Sequence, residues 1–196
     1  MKLSIITPCS RPLNLPAIYS SILEMKTSNV EWIVIYDNID IDKRILMYEK
    51  NVSIKLFKSE RQEGDNYASR QRNIGIENAT GDYLYFLDDD NIVHKYLYDK
   101  MNIYGDGDNI ILFNQMTIKW DRKLNNFNLK NLKQGELDTA QFLVPRKYKS
   151  RWKNNRQLAE EYDYIIDLIK EVGYYKFMYV DRLYSFRNYL RRFDVY

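Results

Sequence analysis

The sequence predicts an α/β domain in which a mostly parallel, mixed β-sheet is flanked by helices. In the first half of the chain, short apolar runs rich in β-branched and aromatic residues alternate with segments of helical character. Strands that alternate with helices form parallel sheets through right-handed crossover connections. The chain has 196 residues, of which 45% are hydrophobic, and this length suits one substantial core. We therefore predict a single domain over residues 1–196.

Four apolar runs are predicted as the first strands of this sheet, and the segments between them as its helices. The strands are residues 3–7, 31–37, 52–57 and 82–88, and the helices are residues 15–26, 41–50 and 67–78. In such sheets, ligands bind beyond the carboxyl ends of the strands. The polar residues that follow the first, second and fourth strands are therefore expected to meet at one edge.

The second half of the chain is predicted to continue the fold with longer strands and one amphipathic helix. The strands are residues 109–120, 139–146 and 174–180, the helix is about 156–172, and residues 123–138 form a hairpin or loop. Neither an internal repeat nor a low-complexity linker divides the chain.

Composition excludes several classes of protein. The net charge is only +3, so we expect no nucleic-acid partner. Cys9 is the only cysteine, which excludes an internal disulfide and a cysteine-based zinc cluster. The opening residues MKLSIITPCSRP are more typical of a first strand than of a signal peptide, and no run is long enough for a transmembrane segment. We therefore expect a cytoplasmic protein.

Three consecutive carboxylates follow the fourth predicted strand, in the stretch YFLDDDN. Desolvated carboxylates repel one another, and a bound cation offsets that repulsion. Oxygen ligands favour Mg²⁺ or Mn²⁺, which keep coordination positions for phosphate and water. The triplet Asp88, Asp89 and Asp90 therefore suggests a divalent ion shared with a phosphorylated ligand, although a solvated turn is the better interpretation when the triplet is taken alone.

The helix predicted at 67–78 places one arginine towards the sheet. On a helical wheel, Arg72 falls on the same side as Ala68, Gly75 and Ala79, whereas Arg70 points to the opposite side. Small residues allow this face to approach the sheet closely. Arg72 is thus expected near the edge, where a guanidinium can contact a diphosphate or the aspartates.

The motifs TPCSR at 7–11, IVIYDN at 33–38, ASRQRNIG at 68–75 and TGDYLYFLDDD at 80–90 occur in an order that resembles family-2-like glycosyltransferases of the GT-A fold. The resemblance is strong over the first 95 residues and looser afterwards. It implies a Rossmann-like GT-A domain, with a nucleotide-sugar-binding half at 1–95 and an acceptor-side half at 96–196.

On the nucleotide side, the resemblance assigns three residues of the first motif and one of the second to the donor pocket. Thr7, Pro8 and Arg11 would line the nucleotide pocket, and Asp37 would contact the base or ribose. Arg11 could instead form a surface ion pair, and Asp37 could cap a helix. Asp65 is either a donor contact or a helix N-cap.

On the metal side, the resemblance gives separate roles to the three aspartates. Asp88 would contact the ribose or a metal-bound water, Asp89 would lie beside it, and Asp90 would bind Mn²⁺ or Mg²⁺ directly. Arg72 would help the ion to neutralise the departing diphosphate.

The predicted helix near residue 160 carries the candidate base. On a helical wheel, Glu160, Asp163, Asp167 and Glu171 fall on the wet face, and Glu161 alone falls among the apolar residues. In the family that this chain resembles, the second acid of a pair at this helix start is the catalytic base, which corresponds to Glu161. Asp163 and a purely structural ion pair remain alternatives.

Other conspicuous residues receive weaker interpretations. His94, the only histidine, is expected at the surface near the next helix start. Asp138 and Gln141 could line the acceptor side, and Trp120 or Trp152 could stack on a sugar or lie in the core. The tail RLYSFRNYLRRF is expected to form a solvated basic strand and terminal helix.

The resemblance implies an inverting, metal-dependent glycosyltransferase that moves a sugar from a nucleotide-diphosphate donor, such as UDP-glucose, to a hydroxyl of a glycan or other acceptor. A sugar-phosphate nucleotidyltransferase would share the sheet and the metal site, but the segment TPCSRPLNLP lacks the glycines of a triphosphate-binding loop. A catalytically inactive nucleotide- or carbohydrate-binding module is the other alternative.

Overall fold

A computed structural model describes residues 1–48, 51–60, 68–117, 122–123, 129–153 and 160–193. The described residues form one nine-stranded sheet. Its strands are β1 (Leu3–Cys9), β2 (Val30–Asp37), β3 (Ser53–Ser59), β4 (Tyr83–Phe86), β5 (Ile92–Val93), β6 (Ile110–Thr117), β7 (Arg122–Lys123), β8 (Phe142–Pro145) and β9 (Phe177–Arg187). The α-helices are α1 (Leu15–Leu23), α2 (Ser69–Asn78), α3 (Leu97–Tyr104) and α4 (Glu160–Val172).

The sheet has the order β3-β2-β1-β4-β8-β6-β9-β5, and β7 pairs with β6. Strands β1 to β4 run parallel to one another, as the alternation of strands and helices predicts. β8 is antiparallel to β4 and β6, whereas β9 returns parallel to β6. The predicted mixed α/β sheet flanked by helices is therefore confirmed.

Helices cover both faces of the sheet. One core contains the apolar residues of α1 and α3, and the other contains those of α2 and α4. Helix α2 approaches the sheet closely at Gly75, where an added Cβ would lie 2.3 Å from Cγ2 of Ile6. This confirms the prediction that the small-residue face of the helix packs on the sheet. Arg72, on the same face, is buried.

Several elements differ from their predicted bounds. The predicted strand 139–146 begins as a 3₁₀ turn, Thr139–Gln141, because Asp138 and Gln141 form a capping box there. The last strand continues well beyond residue 180, to Arg187. The predicted helix at 41–50 is a short 3₁₀ segment, Lys43–Tyr48. Strand β5 was not predicted, since it has only two residues. Helix α3 follows the helix start expected near His94, but no bounds were predicted for it because it is short and has no side-chain cap.

In α4, Ile165, Leu168 and Ile169 are buried as the wheel predicts. Tyr164 is also buried, although the wheel did not select it, because its ring stacks on Trp152 with centroids 4.4 Å apart. Trp152 is therefore a core residue, and Trp120 lies outside the described residues.

Within the described segments, no helix has both the length and the apolar character needed to cross a membrane.

Candidate active site

A cavity of about 460 Å³ lies where the carboxyl ends of β1, β2 and β4 meet the starts of α2 and α4. Its polar lining is dominated by charged side chains of both signs. The carboxylates are those of Asp37, Asp88, Asp89, Asp90, Glu160 and Glu161. The guanidinium groups are those of Arg11, Arg72, Arg187 and Arg191. The expected convergence of polar groups at this edge is therefore observed.

Asp89 organises the loop that follows β1. Its carboxylate accepts hydrogen bonds from the backbone N–H groups of Ser10, at 2.6 Å, and Arg11, at 2.7 Å. It also accepts from the hydroxyl of Ser10 and from Nη1 of Arg11, at 2.9 and 2.8 Å. Because both oxygens are used in this way, Asp89 holds Arg11 at the edge of the cavity.

Asp90 is held by the C-terminal segment of the chain. Its side chain accepts a hydrogen bond from Nε of Arg191, and its backbone oxygen accepts from the N–H of Leu190 at 3.0 Å. The next residue, Asn91, accepts from the N–H of Asn188 at 2.8 Å. Burial, followed by the nearby charge of Asp88, raises the pKa of Asp90.

The tail was expected to form a solvated basic strand and terminal helix. Strand β9 does run to Arg187 and a 3₁₀ turn, Leu190–Phe193, follows it, but the tail also packs against the site. Leu190 is buried, and Arg187 and Arg191 line the cavity. Arg187 also forms an ion pair with the buried Asp138, at 3.0 Å. The sequence shows two arginines four positions apart after an apolar strand, but only the fold brings them to the aspartates.

Arg72 connects β4 to the start of α4. Nη2 of Arg72 donates to Asp88 at 2.9 Å, and Nη1 donates to Glu160 at 2.7 Å. The guanidinium lies 4.5 Å from the centroid of the Trp152 ring. Arg72 therefore contacts the first of the three aspartates, which is one of the two partners that the sequence suggested for it.

Glu160 was predicted on the wet face of α4, and this was wrong because its side chain is only 5% exposed. The wheel considers only the helix itself, whereas Glu160 lies in the first turn and is buried against Arg72 from α2. Its buried carboxylate is thus a structural ion-pair partner.

Glu161, the predicted base, lines the cavity and is partly buried. Burial raises the pKa of Glu161 to about 7, Arg72 opposes this shift, and the charges of Asp138 and Asp88 add to it. A carboxylate with this pKa exchanges protons near neutral pH, as a general base must. Asp163, the alternative candidate, is not among the described residues that line the cavity.

The remaining predicted donor residues divide into three groups. Pro8, Arg11 and Asp37 line the cavity, and Asp37 accepts a hydrogen bond from Nε2 of Gln71 at 2.7 Å. Thr7 does not line it, because its buried hydroxyl accepts from Nε1 of Trp32 at 2.9 Å in the core. Asp65 lies outside the described residues.

The two residues suggested for the acceptor side do not line the cavity either. Asp138 and Gln141 are buried in the capping box, and Gln115 donates to Asp138 at 3.0 Å. They lie beneath the site, where Asp138 supports Arg187.

Gln71, one residue before Arg72, lines the cavity and was not identified from the sequence, because no motif distinguishes it from other polar helix residues.

The carboxylate oxygens in the cavity are suitable ligands for a hard divalent cation. Asp88 and Asp90 line the same cavity, and the charge of Asp88 is one cause of the raised pKa of Asp90. No group of three histidine, cysteine or acidic side chains in the described part of the chain could by itself hold a metal ion. Mg²⁺ typically takes only one or two protein carboxylates and completes its coordination with substrate phosphates and water. The residues present therefore fit Mg²⁺ or Mn²⁺ in combination with a phosphorylated ligand.

Comparisons with known proteins identify the family and the fold of this chain. The family model described as "Glycosyl transferase family 2" matches residues 4–180. A curated relative from Haemophilus influenzae, described as an "Uncharacterized glycosyltransferase", is 32% identical over 89 residues, which are 45% of this chain and 29% of the relative.

Solved structures of Staphylococcus aureus TarS are similar to this chain in fold. The structure of TarS 1–349 with UDP has a TM-score of 0.74 at 14% identity, covering 95% of this chain and 60% of that one. The structure with UDP-GlcNAc has a TM-score of 0.72 at 13% identity, covering 95% and 58%. This chain thus spans less than two thirds of the length of each of these proteins.

Proposed function

This chain belongs to glycosyl transferase family 2, and on that basis we propose that it transfers a sugar from a UDP-sugar, such as UDP-glucose, to a hydroxyl of a glycan acceptor. The proposed reaction inverts the anomeric centre and uses Mn²⁺ or Mg²⁺. The observation that carries the proposal is the position of Glu161, whose pKa is raised to about 7, in the same cavity as Asp88 and Asp90.

A UDP-sugar donor is supported by the fold and by the size of the cavity. TarS, which shares the fold, has been solved with UDP and with UDP-GlcNAc. The volume of about 460 Å³ lies within the range typical of small-molecule sites. Asp37 and Arg11 line the cavity, where they would offer a hydrogen-bond acceptor for the ribose or base and a cation for the phosphates.

The leaving diphosphate would be stabilised by the metal ion at Asp88 and Asp90 and by the side chains of Arg187 and Arg191. Asp88 and Asp90 would hold Mn²⁺ or Mg²⁺, which when bound neutralises the charge that develops on the departing diphosphate. The side chains of Arg187 and Arg191 are 42% and 54% exposed, so both guanidiniums remain accessible to phosphate oxygens in the cavity. Arg72 keeps its bonds to Asp88 and Glu160, and so holds the start of α4 against the end of β4.

Glu161 is proposed to accept the proton of the acceptor hydroxyl. The hydroxyl oxygen attacks the anomeric carbon and forms the new glycosidic bond, while the bond between that carbon and the diphosphate oxygen breaks. The electron pair of the broken bond leaves with the diphosphate. A single displacement from the opposite side inverts the anomeric centre.

A sugar-phosphate nucleotidyltransferase is disfavoured by the loop after β1. Besides lacking glycine, this loop already donates its Ser10 and Arg11 N–H groups to the Asp89 carboxylate, so these groups are not available to cradle a triphosphate. No observation favours this second enzyme class. The experiment described next distinguishes the proposed enzyme from an inactive binding module.

The experiment measures UDP release from a panel of UDP-sugars with Mn²⁺, for the wild-type chain and for Glu161→Gln. We expect slow donor hydrolysis by the wild type and its loss in Glu161→Gln, while the UDP-induced rise in melting temperature persists in both. Asp163→Asn is the matched control, since it removes a neighbouring acid of α4 that does not line the cavity. Thermal stabilisation by UDP without any turnover in the wild type would indicate a binding module.

A further inference from the structure

A second cavity, of about 570 Å³, lies between α3, β6 and β9. None of the described residues that line it also lines the first cavity. Its walls combine aromatic rings with charged and amide groups, and it falls within the size range of small-ligand sites. The glycosyl-transfer chemistry proposed above uses no residue of this cavity.

Four rings form the aromatic part of the wall, namely those of His94, Tyr96, Tyr104 and Tyr184. The His94 ring centroid lies 5.3 Å from that of Tyr96 and 6.4 Å from that of Tyr184. Tyr184 is fixed from behind by an edge contact with Phe113 at 5.4 Å. The rings therefore form a supported surface rather than a set of isolated side chains.

A β-bulge supplies the polar part of the wall. Phe113 of β6 pairs with Val180, but Asn114 pairs with Leu183, so Asp181 and Arg182 are extra residues of β9. A bulge redirects side chains from the normal alternation of a strand. Nδ2 of Asn114 donates to Asp181 at 2.7 Å, which fixes the Asp181 carboxylate in this position.

Several polar groups of the cavity are available to a ligand. The side chains of Lys100, Tyr104 and Tyr184 make no hydrogen bond to any residue that the structure describes. Two phenolic hydroxyls and one ammonium group can therefore donate to a bound molecule, and the hydroxyls can also accept. Lys100 and Arg182 are positive and Asp181 is negative, so the charged groups are of both signs and favour a polar ligand over a strongly charged one.

We propose that this second cavity binds a saccharide unit of the acceptor glycan. A sugar ring has apolar C–H faces, which suit aromatic rings, and a periphery of hydroxyls, which suit carboxylate, amide, phenol and ammonium groups. The inference rests on the proposed function, because a glycan acceptor supplies the ligand. Strand β9 connects the two sites: Tyr184 precedes Arg187 of the first cavity by three residues, about 10 Å of strand.

The test measures binding to an array of immobilised neutral and acidic oligosaccharides, with and without saturating UDP and Mn²⁺. The wild type is compared with Tyr104→Ala/Arg182→Ala, which removes one ring and one cation of the cavity. Tyr175→Ala is the control, because Tyr175 is 82% exposed and does not line the cavity. We expect binding that UDP does not displace, that the control retains, and that the double variant weakens by about tenfold or more.

Two results would overturn the inference. One is no binding of the wild type to any oligosaccharide of the array. The other is binding that UDP displaces and that Tyr104→Ala/Arg182→Ala retains, which would restrict glycan binding to the first cavity. If melting shows that the double variant does not fold, Arg182→Ala alone replaces it, since that side chain is exposed.

The same preparations separate this inference from the proposed function. UDP release from UDP-sugars reports on the first cavity, and oligosaccharide binding reports on the second. Donor turnover without oligosaccharide binding would overturn the inference alone. Oligosaccharide binding without donor turnover would count against the proposed function and leave the second site supported.

Discussion

Arg72 of α2 and Glu160 of α4 form a buried ion pair, in which Nη1 of the arginine lies 2.7 Å from Oε2 of the glutamate. The same guanidinium contacts Asp88 after β4. One cation therefore fixes the acidic end of a strand against the first turn of the helix that carries Glu161.

Removal of Arg72 is expected to destabilise the fold strongly. Arg72→Ala leaves the Glu160 carboxylate buried without its cation, and breaking a buried pair in this way costs about 3–5 kcal/mol. Urea denaturation should show this loss in the free energy of unfolding. Arg70→Ala, on the opposite side of the same helix, is the control and should cost much less. Equal losses for the two variants would contradict a special role for the Arg72 network.

The pH dependence of turnover should report the Glu161 carboxylate. Burial raises the pKa of Glu161 to about 7, and only the deprotonated form can accept a proton. As pH falls below about 7, kcat/KM for sugar transfer should therefore decrease about tenfold per pH unit. The measurement is the pH profile of kcat/KM between pH 5 and 9, and a flat profile would argue against this base.

Loss of Glu161 should remove the acidic limb of that profile together with most of the activity. Glu161→Gln is expected to lower kcat by about 10²- to 10⁴-fold, the usual contribution of a general base. Asp163→Asn should retain both the rate and the profile. If Asp163→Asn instead lost activity and Glu161→Gln did not, the base would have to be reassigned to Asp163.

Arg191 is expected to contribute to donor binding. Its guanidinium lines the cavity beside Asp90 and is 54% exposed, so solvent weakens its attraction to phosphate. Arg191→Ala should weaken UDP binding in the presence of Mn²⁺ by about tenfold or less, as measured by calorimetry. Arg44→Ala, which removes an exposed arginine paired with Asp42, should leave UDP affinity unchanged. An unchanged affinity in Arg191→Ala would show that the tail arginine is only structural.

Glu31 should make stability depend on pH in the acidic range. Burial raises its pKa, but hydrogen bonds from Ser4, Thr80 and Lys55 outweigh burial and lower the pKa from 4.5 to about 2. Because the folded-state pKa lies below the unfolded-state value, the contribution of Glu31 is fully present above pH 4.5 and is lost as pH falls towards 2.

The comparison of wild type with Glu31→Gln tests this dependence. At neutral pH the substitution should lower the free energy of unfolding by about 1–3 kcal/mol, because buried donors lose a charged acceptor. The difference between the two proteins should shrink as the pH falls from about 4.5 to about 2. A difference that stays constant with pH would show that Glu31 does not titrate in this range.

Gly75 should tolerate no side chain. An added Cβ would lie 2.3 Å from Ile6 and 3.2 Å from Ile35, and overpacking of this kind costs about 1–3 kcal/mol. Gly75→Ala should therefore lower the melting temperature, although alanine is the better helix former. Glu77→Ala, at an exposed position of the same helix, should have little effect. A stabilised Gly75→Ala would mean that α2 can move away from the sheet.

The parts of the site that the sequence predicted are those set by local pattern. Strands β1, β2 and β4 end in polar residues, and parallel pairing brings those ends to one edge. The inward position of Arg72 follows from the period of an α-helix and from the small residues beside it. Glu161 lies at the start of a strongly amphipathic helix, as the second residue of an acidic pair.

The sequence by itself determined the alternation of strands and helices in the first half, the acidic triplet and the base candidate, because each depends on residues close together in the chain. The tertiary structure alone decided that Arg191 contacts Asp90, across 101 positions, and that Glu160 contacts Arg72, across 88. It also decided that Thr7 faces Trp32 and not the cavity. A helical or strand period assigns a side chain to a face, but its partner comes from another element, and the packing of the whole sheet selects that partner.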